Sequence, residues 1–426
     1  MDRQGVAAAD APRSTRVAVY AHLPWCLAKC PYCDFNVYAA KAWPEERYVR
    51  ALGLELARRA AAPPFRAATV SSVYFGGGTP SLFTARSIAD LLDAIARHLT
   101  IESSVEVSLE ANPERLDGAR LADFRAAGVN RLSLGVQSFE PPLLRVLGRH
   151  HSPEDARSAF RAARRAGFEN LSLDLIHAVP GQDLRGCAAD VEAALELAPE
   201  HVSAYCLTYE DATPLTRARD AGRIRPVEED LEAAMLEHIA DRLGAAGYLH
   251  YEVSSHARPG RESRHNRSYW RGIPYLGLGA GAHSFAPRPP GDAAASGSAL
   301  AAREAPSASS VAAGAEAQNG WGERWENVRD PVAYCAAVER CGTAVASSES
   351  LSRAQAATEF CWLGLRELRG LDAAAFAARF GEPLERAFPQ LESLRQDGLL
   401  EWRGARLALT RRGLLLADSV YTAFVY

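Results

Sequence analysis

Short apolar runs of strand length recur along the first half of the chain, at 17–23, 69–75, 104–109, 131–136, 171–176 and 202–207. Between them, apolar residues return every three or four positions, the period of a helix with one buried face, at about 44–60, 84–98, 117–127, 183–197 and 227–246. The clearest helix signal is Ser152-Pro153-Glu154-Asp155 before ARSAFRAARRA and Gly167: an N-cap, a proline at the first helical position, early acids and a glycine stop. Strand and helix alternating in this way predict parallel strands joined by right-handed crossovers. The pattern leaves a doubly wound sheet and a complete or partial barrel both open, and either gathers ligands at the C-terminal ends of its strands.

Polar and glycine signals sit where that rule wants them. Cys26, Cys30 and Cys33 follow the first run, Gly76-Gly77-Gly78-Thr79-Pro80 the second, Glu110-Ala111-Asn112-Pro113 the third and Gln137-Ser138-Phe139 the fourth. The fifth run carries Asp174 and ends in Ile176-His177, and Thr208-Tyr209-Glu210 follows the sixth. All fall on one rim of the expected fold.

Beyond residue 250 the alternation stops. A segment at 251–286 contains HNRSYW, and from 286 to 320 there is no aromatic residue, with Leu300 and Val311 the only large aliphatics. Such a stretch buries too little surface to order itself. A region from 321 to 426 has helical patterns, then GLLEWRGARLALTRRG, which reads as a short hairpin, and a terminal helix. The expected division is a disordered N-terminus at 1–15, an α/β domain at 16–250, a site-closing segment at 251–286, a low-complexity insertion at 287–320, and a helical, winged-helix-like domain at 321–426.

Composition narrows the function classes. At 426 residues, 48% hydrophobic and 23% charged, the chain is an ordinary globular protein of two to three domains. No stretch approaches the ~18 uninterrupted apolar residues of a membrane span, and MDRQGVAAADAPRSTR lacks the apolar core of a secretory signal, so the expectation is a cytoplasmic protein. A net charge of -4 offers no global attraction to nucleic acid, and a capping role is expected of the last domain rather than DNA binding.

The eight cysteines do not form a disulfide framework in a reducing compartment. Cys187, Cys206, Cys335, Cys341 and Cys361 are scattered and read as small buried hydrophobes. Cys26, Cys30 and Cys33 form a C-x3-C-x2-C run, enough to hold three irons of a [4Fe–4S] cluster and leave the fourth open. Structural zinc is the alternative, but zinc usually takes four closed ligands and no second cysteine pair exists. The glycine run suits close approach of a ligand and equally a tight turn. Glu110 and Asp174 are acceptors for ribose hydroxyls or an ammonium, and Arg149 is a partner for a carboxylate, or each is an ordinary loop polar group. His265 beside Tyr269 and Trp270 suits a porphyrin, or is a surface loop anchored by two aromatics.

YAHLPWCLAKCPYCDF resembles the signature of radical S-adenosylmethionine enzymes. Together with FGGGTPS, LEANPE, GVQSF, LGRHH, DLIHAVPGQ and HNRSYW it resembles the oxygen-independent coproporphyrinogen III oxidase-like family, nearest its heme chaperone branch. The resemblance covers roughly 16–286 and the C-terminal domain in outline. It implies a partial (β/α)6 barrel of radical SAM type, with Cys26, Cys30 and Cys33 as cluster ligands. The implied S-adenosylmethionine contacts are Tyr20, Tyr32, Gly77, Gly78, Thr79, Glu110, Gln137, Arg149 and Asp174, with Thr208 and His283 matched by spacing. It also implies His265, Tyr269 and Trp270 as heme contacts. The partners that follow are heme and an acceptor protein, transiently engaged membrane proteins included.

Two departures separate the chain from the oxidase branch. That branch resembles C-x3-C-x2-C-x-C, whereas Phe35 stands here at the last position, and it carries a longer segment before the cluster. Three function readings result: a heme chaperone, a radical coproporphyrinogen III oxidase, and a structural or DNA-binding protein led by its C-terminal domain. HNRSYW and Phe35 favour the first.

Overall fold

The computed structural model describes residues 15–114, 116–288 and 320–424. Six parallel strands form the centre, in chain order: β1 (Arg16–Leu23), β2 (Thr69–Gly77), β3 (Thr100–Ala111), β4 (Arg131–Gln137), β5 (Leu171–His177) and β6 (His201–Cys206). Helices Glu45–Ala60, Ala85–His98, Gly118–Ala126, Pro153–Arg165 and Leu184–Leu197 make the five crossovers between them. The Pro153–Arg165 helix starts in a full capping box, with the Ser152 hydroxyl accepting from Asp155 N and the Asp155 carboxylate accepting from Ser152 N.

Consecutive strands are neighbours, but β1 and β6 do not pair with each other, so the six strands make an open, partial barrel. On the β6 side the sheet continues into the antiparallel pair β7 (Leu249–Glu252) and β8 (Ser255–Ala257). On the β1 side it runs through β9 (Tyr275–Leu278), parallel to β1, then β10 (His283–Pro287), β11 (Gly322–Asn327) and β12 (Val345–Leu351), each antiparallel to its predecessor. The main core lies between this sheet and the crossover helices, with Val19, Val73, Phe75, Leu132 and Leu173 fully buried.

The main sheet and its core extend past residue 321. Strands β11 and β12 belong to the main sheet, and Tyr334, Cys335 and Val338 of helix Pro331–Cys341 pack into the main core. A separate core begins at Leu351 and holds Phe376, Phe380, Phe388 and Phe424. The expected hairpin is present as β14 (Leu400–Arg403) and β15 (Arg406–Leu409), with β13 (Leu371–Asp372) alongside β15. The expectations of disorder at 1–15 and of an unpacked insertion at 287–320 fall almost wholly outside the described residues.

Hydrogen-bonded strands force adjacent side chains to opposite faces, and here the barrel's inner face is polar. Tyr74, Glu106, Glu110, Arg131, Ser133, Ser172, Asp174 and His201 point into it and bond or pair across strands, as in Tyr74 to Glu110 (2.8 Å), Ser133 to Asp174 (3.0 Å) and Ser172 to His201 (2.8 Å). Among the described residues no helix is long and apolar enough to cross a membrane.

Candidate functional site

The cysteine loop leaves β1 at Pro24 and is closed by a two-strand ladder pairing Trp25–Cys26 with Tyr38–Ala39. Cys33 N donates to the Cys30 carbonyl (3.2 Å), a turn that brings the last two thiols round one bend. All three thiols are free and partly exposed to a cavity of about 440 Å³ at the C-terminal ends of the strands.

A network stands behind them. Arg149 Nη1 donates to Cys30 Sγ (3.5 Å), and Nη2 donates to Asn112 Oδ1 (2.7 Å) and to the Gly135 carbonyl (2.9 Å). Asn112 Nδ2 donates to Thr79 Oγ1 (3.0 Å), and the Thr79 hydroxyl donates to Cys26 Sγ (3.4 Å). The sequence places Asn112 on the rim, within LEANPE, but does not reveal its role: an asparagine has an acceptor and a donor on one amide and so links the two groups that reach sulfur. Burial pushes the Cys33 thiol up to about 11 and also raises Cys26, against the Thr79 hydrogen bond. Iron would reverse that cost, since a coordinated thiol is deprotonated outright.

The donor set fits an iron–sulfur cluster. Three thiols on one loop, two of them receiving hydrogen bonds at sulfur, match one thiolate per iron. Among the described residues no three ligand side chains converge to hold a single metal ion, as zinc would require.

Glu110 reaches the same cavity from the end of β3. It accepts from the Tyr74 hydroxyl (2.8 Å) and from Gly77 N (3.1 Å). Burial, with the nearby Asp174 adding to it, pushes its carboxyl up to about 7 despite those hydrogen bonds. Asp174 is raised by burial too, against hydrogen bonds from Ser133 and other serines. Tyr32, Gly78, Gln137 and Thr208 line the cavity with them. Gln137 has a φ of +67°, a left-handed conformation for a non-glycine residue, at the sharp end of β4.

The glycines are demanded by the fold itself. A Cβ on Gly78 would lie 2.5 Å from the Trp25 carbonyl oxygen, and Gly77, at φ +114°, would press its Cβ onto the His22 ring at 2.6 Å. The run is thus a tight junction with the cysteine loop, and its backbone also faces the cavity.

Two expected contacts lie elsewhere. Tyr20 and His283 face a second cavity of about 900 Å³, enclosed by the β9–β11 extension and the C-terminal domain. Tyr269 and Trp270 line it as well. Asp34, Phe35, Gly77 and Glu110 line both cavities and mark their shared edge. Phe35 is 65% exposed there.

His265, expected as a heme contact with Tyr269 and Trp270, lines neither cavity. It is 1% exposed, with Nδ1 bonded to Ser72 Oγ (3.0 Å) and Nε2 to the Tyr269 hydroxyl (2.8 Å), and its ring stacks on Tyr74 at 4.9 Å. Burial pushes its imidazole down to about 3, so it stays neutral. Its backbone N–H donates to Glu106 Oε1 (3.1 Å), pinning the start of helix Arg264–Trp270 to the barrel interior. The imidazole is a pillar that sets Tyr269 at the cavity wall. His265→Ala is expected to cost about 2–4 kcal/mol of stability in denaturant unfolding, from a lost ring and two orphaned hydroxyls. An unchanged midpoint would remove that role.

At the far end of the same helix, Arg267 Nε donates to Glu367 Oε1 at 2.7 Å, and Arg271 Nη2 pairs with the same oxygen at 3.0 Å. Helix and C-terminal domain are thereby joined through one buried carboxylate.

Comparison with known proteins agrees with this architecture. Residues 20–194 match the model of the Radical SAM superfamily, and 351–416 match the HemN C-terminal domain. The chain is 38% identical over 405 residues to heme chaperone HemW of Mycobacterium tuberculosis, covering 94% of this chain and 93% of that one. It is 33% identical over 410 residues to heme chaperone HemW of Bacillus subtilis, covering 96% and 99%. Among solved structures, coproporphyrinogen III oxidase (HemN) from Escherichia coli, a radical SAM enzyme, superposes with a TM-score of 0.75 at 22% identity, covering 96% of this chain and 90% of that one. That likeness is one of fold.

Proposed function

Since the chain belongs to the HemW family within the Radical SAM superfamily, we propose that it is a cytoplasmic heme chaperone that carries a [4Fe–4S] cluster and S-adenosylmethionine and hands heme to an acceptor protein. Membrane proteins are among the acceptors that this reading admits. The observation that carries it is a large cavity opening directly beside the cysteine loop, with Phe35 at the shared edge. The chain thus has room for two ligands of different size next to each other.

In this reading Cys26, Cys30 and Cys33 hold the cluster, which when bound offers an iron without a protein ligand to the amino and carboxylate groups of S-adenosylmethionine. Arg149 and Thr79 place hydrogen bonds on the ligand sulfurs, and Asn112 holds both in position. Glu110 and Asp174 accept hydrogen bonds from the ribose or ammonium donors of the cofactor. Glu110 does so as an anion only above about pH 7.

An oxidase needs a propionate carbon–hydrogen bond held within reach of a radical, and productive abstraction depends on that placement. Here the exposed phenyl ring of Phe35, which offers neither a donor nor a ligand, stands at the edge between the two cavities. Reconstituted protein given reductant, S-adenosylmethionine and coproporphyrinogen III anaerobically is therefore expected to bind its cofactor and make no protoporphyrinogen IX above a no-protein control. Decarboxylation over many turnovers would replace the chaperone with the oxidase. Failure to take up heme under the same conditions would end the chaperone reading.

A further inference from the structure

We propose that the 900 Å³ cavity seats the heme, with His283 presenting its imidazole to the iron and Arg379 pairing with a propionate; the assignment rests on the heme-chaperone reading. The cavity's size lies at the upper end for organic ligands, and its walls carry the mixed character such ligands need. Phe285 and Tyr275 come from the sheet, and Phe360 and Trp362 from the C-terminal domain. Trp362 stays 39% exposed, an aromatic face left uncovered by the protein.

Heme iron in proteins is held by an imidazole, a thiolate, a thioether or a phenolate. No cysteine or methionine lines this cavity among the described residues, and two histidines do. His22 is spent: Nε2 donates to the Asn36 carbonyl (2.9 Å), which leaves Nδ1 to accept from the Tyr20 hydroxyl (3.0 Å). His283 is free. Its side chain is 63% exposed, and its nearest carboxylate, Glu326 Oε1, lies 3.8 Å from Nε2, beyond hydrogen-bonding distance. The phenols compete poorly, since Tyr20 and Tyr269 are bonded to histidines and burial pushes Tyr275 up to about 12. His283 opens β10 and is held rigidly there, because β10 pairs with both β9 and β11.

The arginines sort in the same way. Arg324 pairs with Glu349 and Glu359, Arg271 and Arg369 share the single carboxylate of Glu367 with Arg267, Arg406 pairs with Asp372, and Arg329 lies 3.9 Å from Glu326. Arg379 lines the cavity with its guanidinium over Phe360 (5.8 Å) and Phe380 (5.4 Å), and among the described residues no carboxylate bonds it. Glu359 is near enough to act on Arg379 through its charge without bonding it, and a stacked guanidinium with no bonded carboxylate at a cavity wall is an arrangement that takes a ligand carboxylate. Because Arg379 belongs to the C-terminal domain and His283 to the main sheet, one dicarboxylate ligand would touch both.

The test is a hemin titration of the cluster-loaded full chain, read as difference spectra against the hemin-free protein, with low-spin heme signals followed by electron paramagnetic resonance. His283→Ala is expected to lose the wild-type Soret position and weaken binding roughly ten- to hundredfold. His283→Cys is expected to restore binding with a thiolate-type Soret band, a change that a merely structural role would not produce. Arg379→Ala is expected to weaken hemin binding roughly tenfold with the Soret band unmoved, and to match the wild type when hemin dimethyl ester replaces hemin. If the wild type binds hemin and His283→Ala keeps both its spectrum and its affinity, the assignment is overturned while the chaperone reading stands. If the wild type takes up no hemin, both fall. Thermal unfolding and cluster absorbance confirm that each variant is folded.

Discussion

Serine in place of Cys26, Cys30 or Cys33 is expected to abolish the iron–sulfur absorbance and paramagnetic signal after anaerobic reconstitution, while serine at Cys187 or Cys361 leaves them intact. The three loop thiols open onto one cavity, and no further cysteine lines it except Cys206. Cys206, expected as a buried hydrophobe but exposed, sits at the end of β6, on the opposite strand edge of the open barrel from β1. Loss of one thiolate therefore leaves an iron without a replacement from the same loop. Cys187 and Cys361 are 2% and 0% exposed in the two apolar cores, and a serine there costs some stability without touching the cavity. A full cluster in Cys30→Ser would overturn the ligand set. Cys30 is the informative position because Arg149 donates to its sulfur, so any compensating movement has to break that contact as well.

The second large effect is expected at Glu110. Glu110→Gln keeps the shape and removes the charge, and S-adenosylmethionine binding, followed by equilibrium dialysis, is expected to weaken roughly ten- to hundredfold above pH 7. The wild-type carboxyl is held at about 7, so affinity is expected to rise with pH through that value and then level off. The variant's affinity is expected to be flat over the same range. Stability without cofactor runs the other way. A carboxyl raised from its ordinary value of about 4.5 to about 7 is fully tolerated below the unfolded value and costs stability as pH climbs through the folded one. The loss amounts to about 3 kcal/mol when complete. Glu110→Gln is thus expected to gain on the wild type in urea unfolding between pH 5 and pH 8. A wild type whose affinity ignores pH would show that another group receives the cofactor's donors.

Much of the fold follows from local chemistry. The run at 17–23 became Arg16–Leu23 and the run at 131–136 became Arg131–Gln137, since their apolar residues, Leu132, Leu134 and Val136 in the second, alternate onto the face buried against the helices. The third strand is longer than its apolar run, Thr100–Ala111 against 104–109, because Thr100 and Ile101 pair with Thr69 and Val70 of β2, and pairing extends a strand past its apolar part. The cysteine loop and the rim polar groups were legible because ligand-bearing residues cluster after strands in such folds.

Six strand–helix units, the rim on which their loops gather and the three thiols of one short loop were legible in local pattern alone. Each depends on spacing within a few residues. Three-dimensional packing settles which histidine is spent and which keeps its ring nitrogens unbonded. His265 looked like a ligand because it stands beside two aromatics, yet Ser72 and Tyr269 take both its nitrogens inside the barrel, and Ser72 lies 193 residues away in sequence. The family resemblance implied Tyr20, and by spacing His283, as cofactor contacts, yet both line the larger cavity, beside the extension of the sheet through β9, β10 and β11. The polar interior and the separate core that begins at Leu351 were hidden for the same reason. A side chain's partners across a sheet are set by strand order and register, and no local pattern encodes what lies opposite.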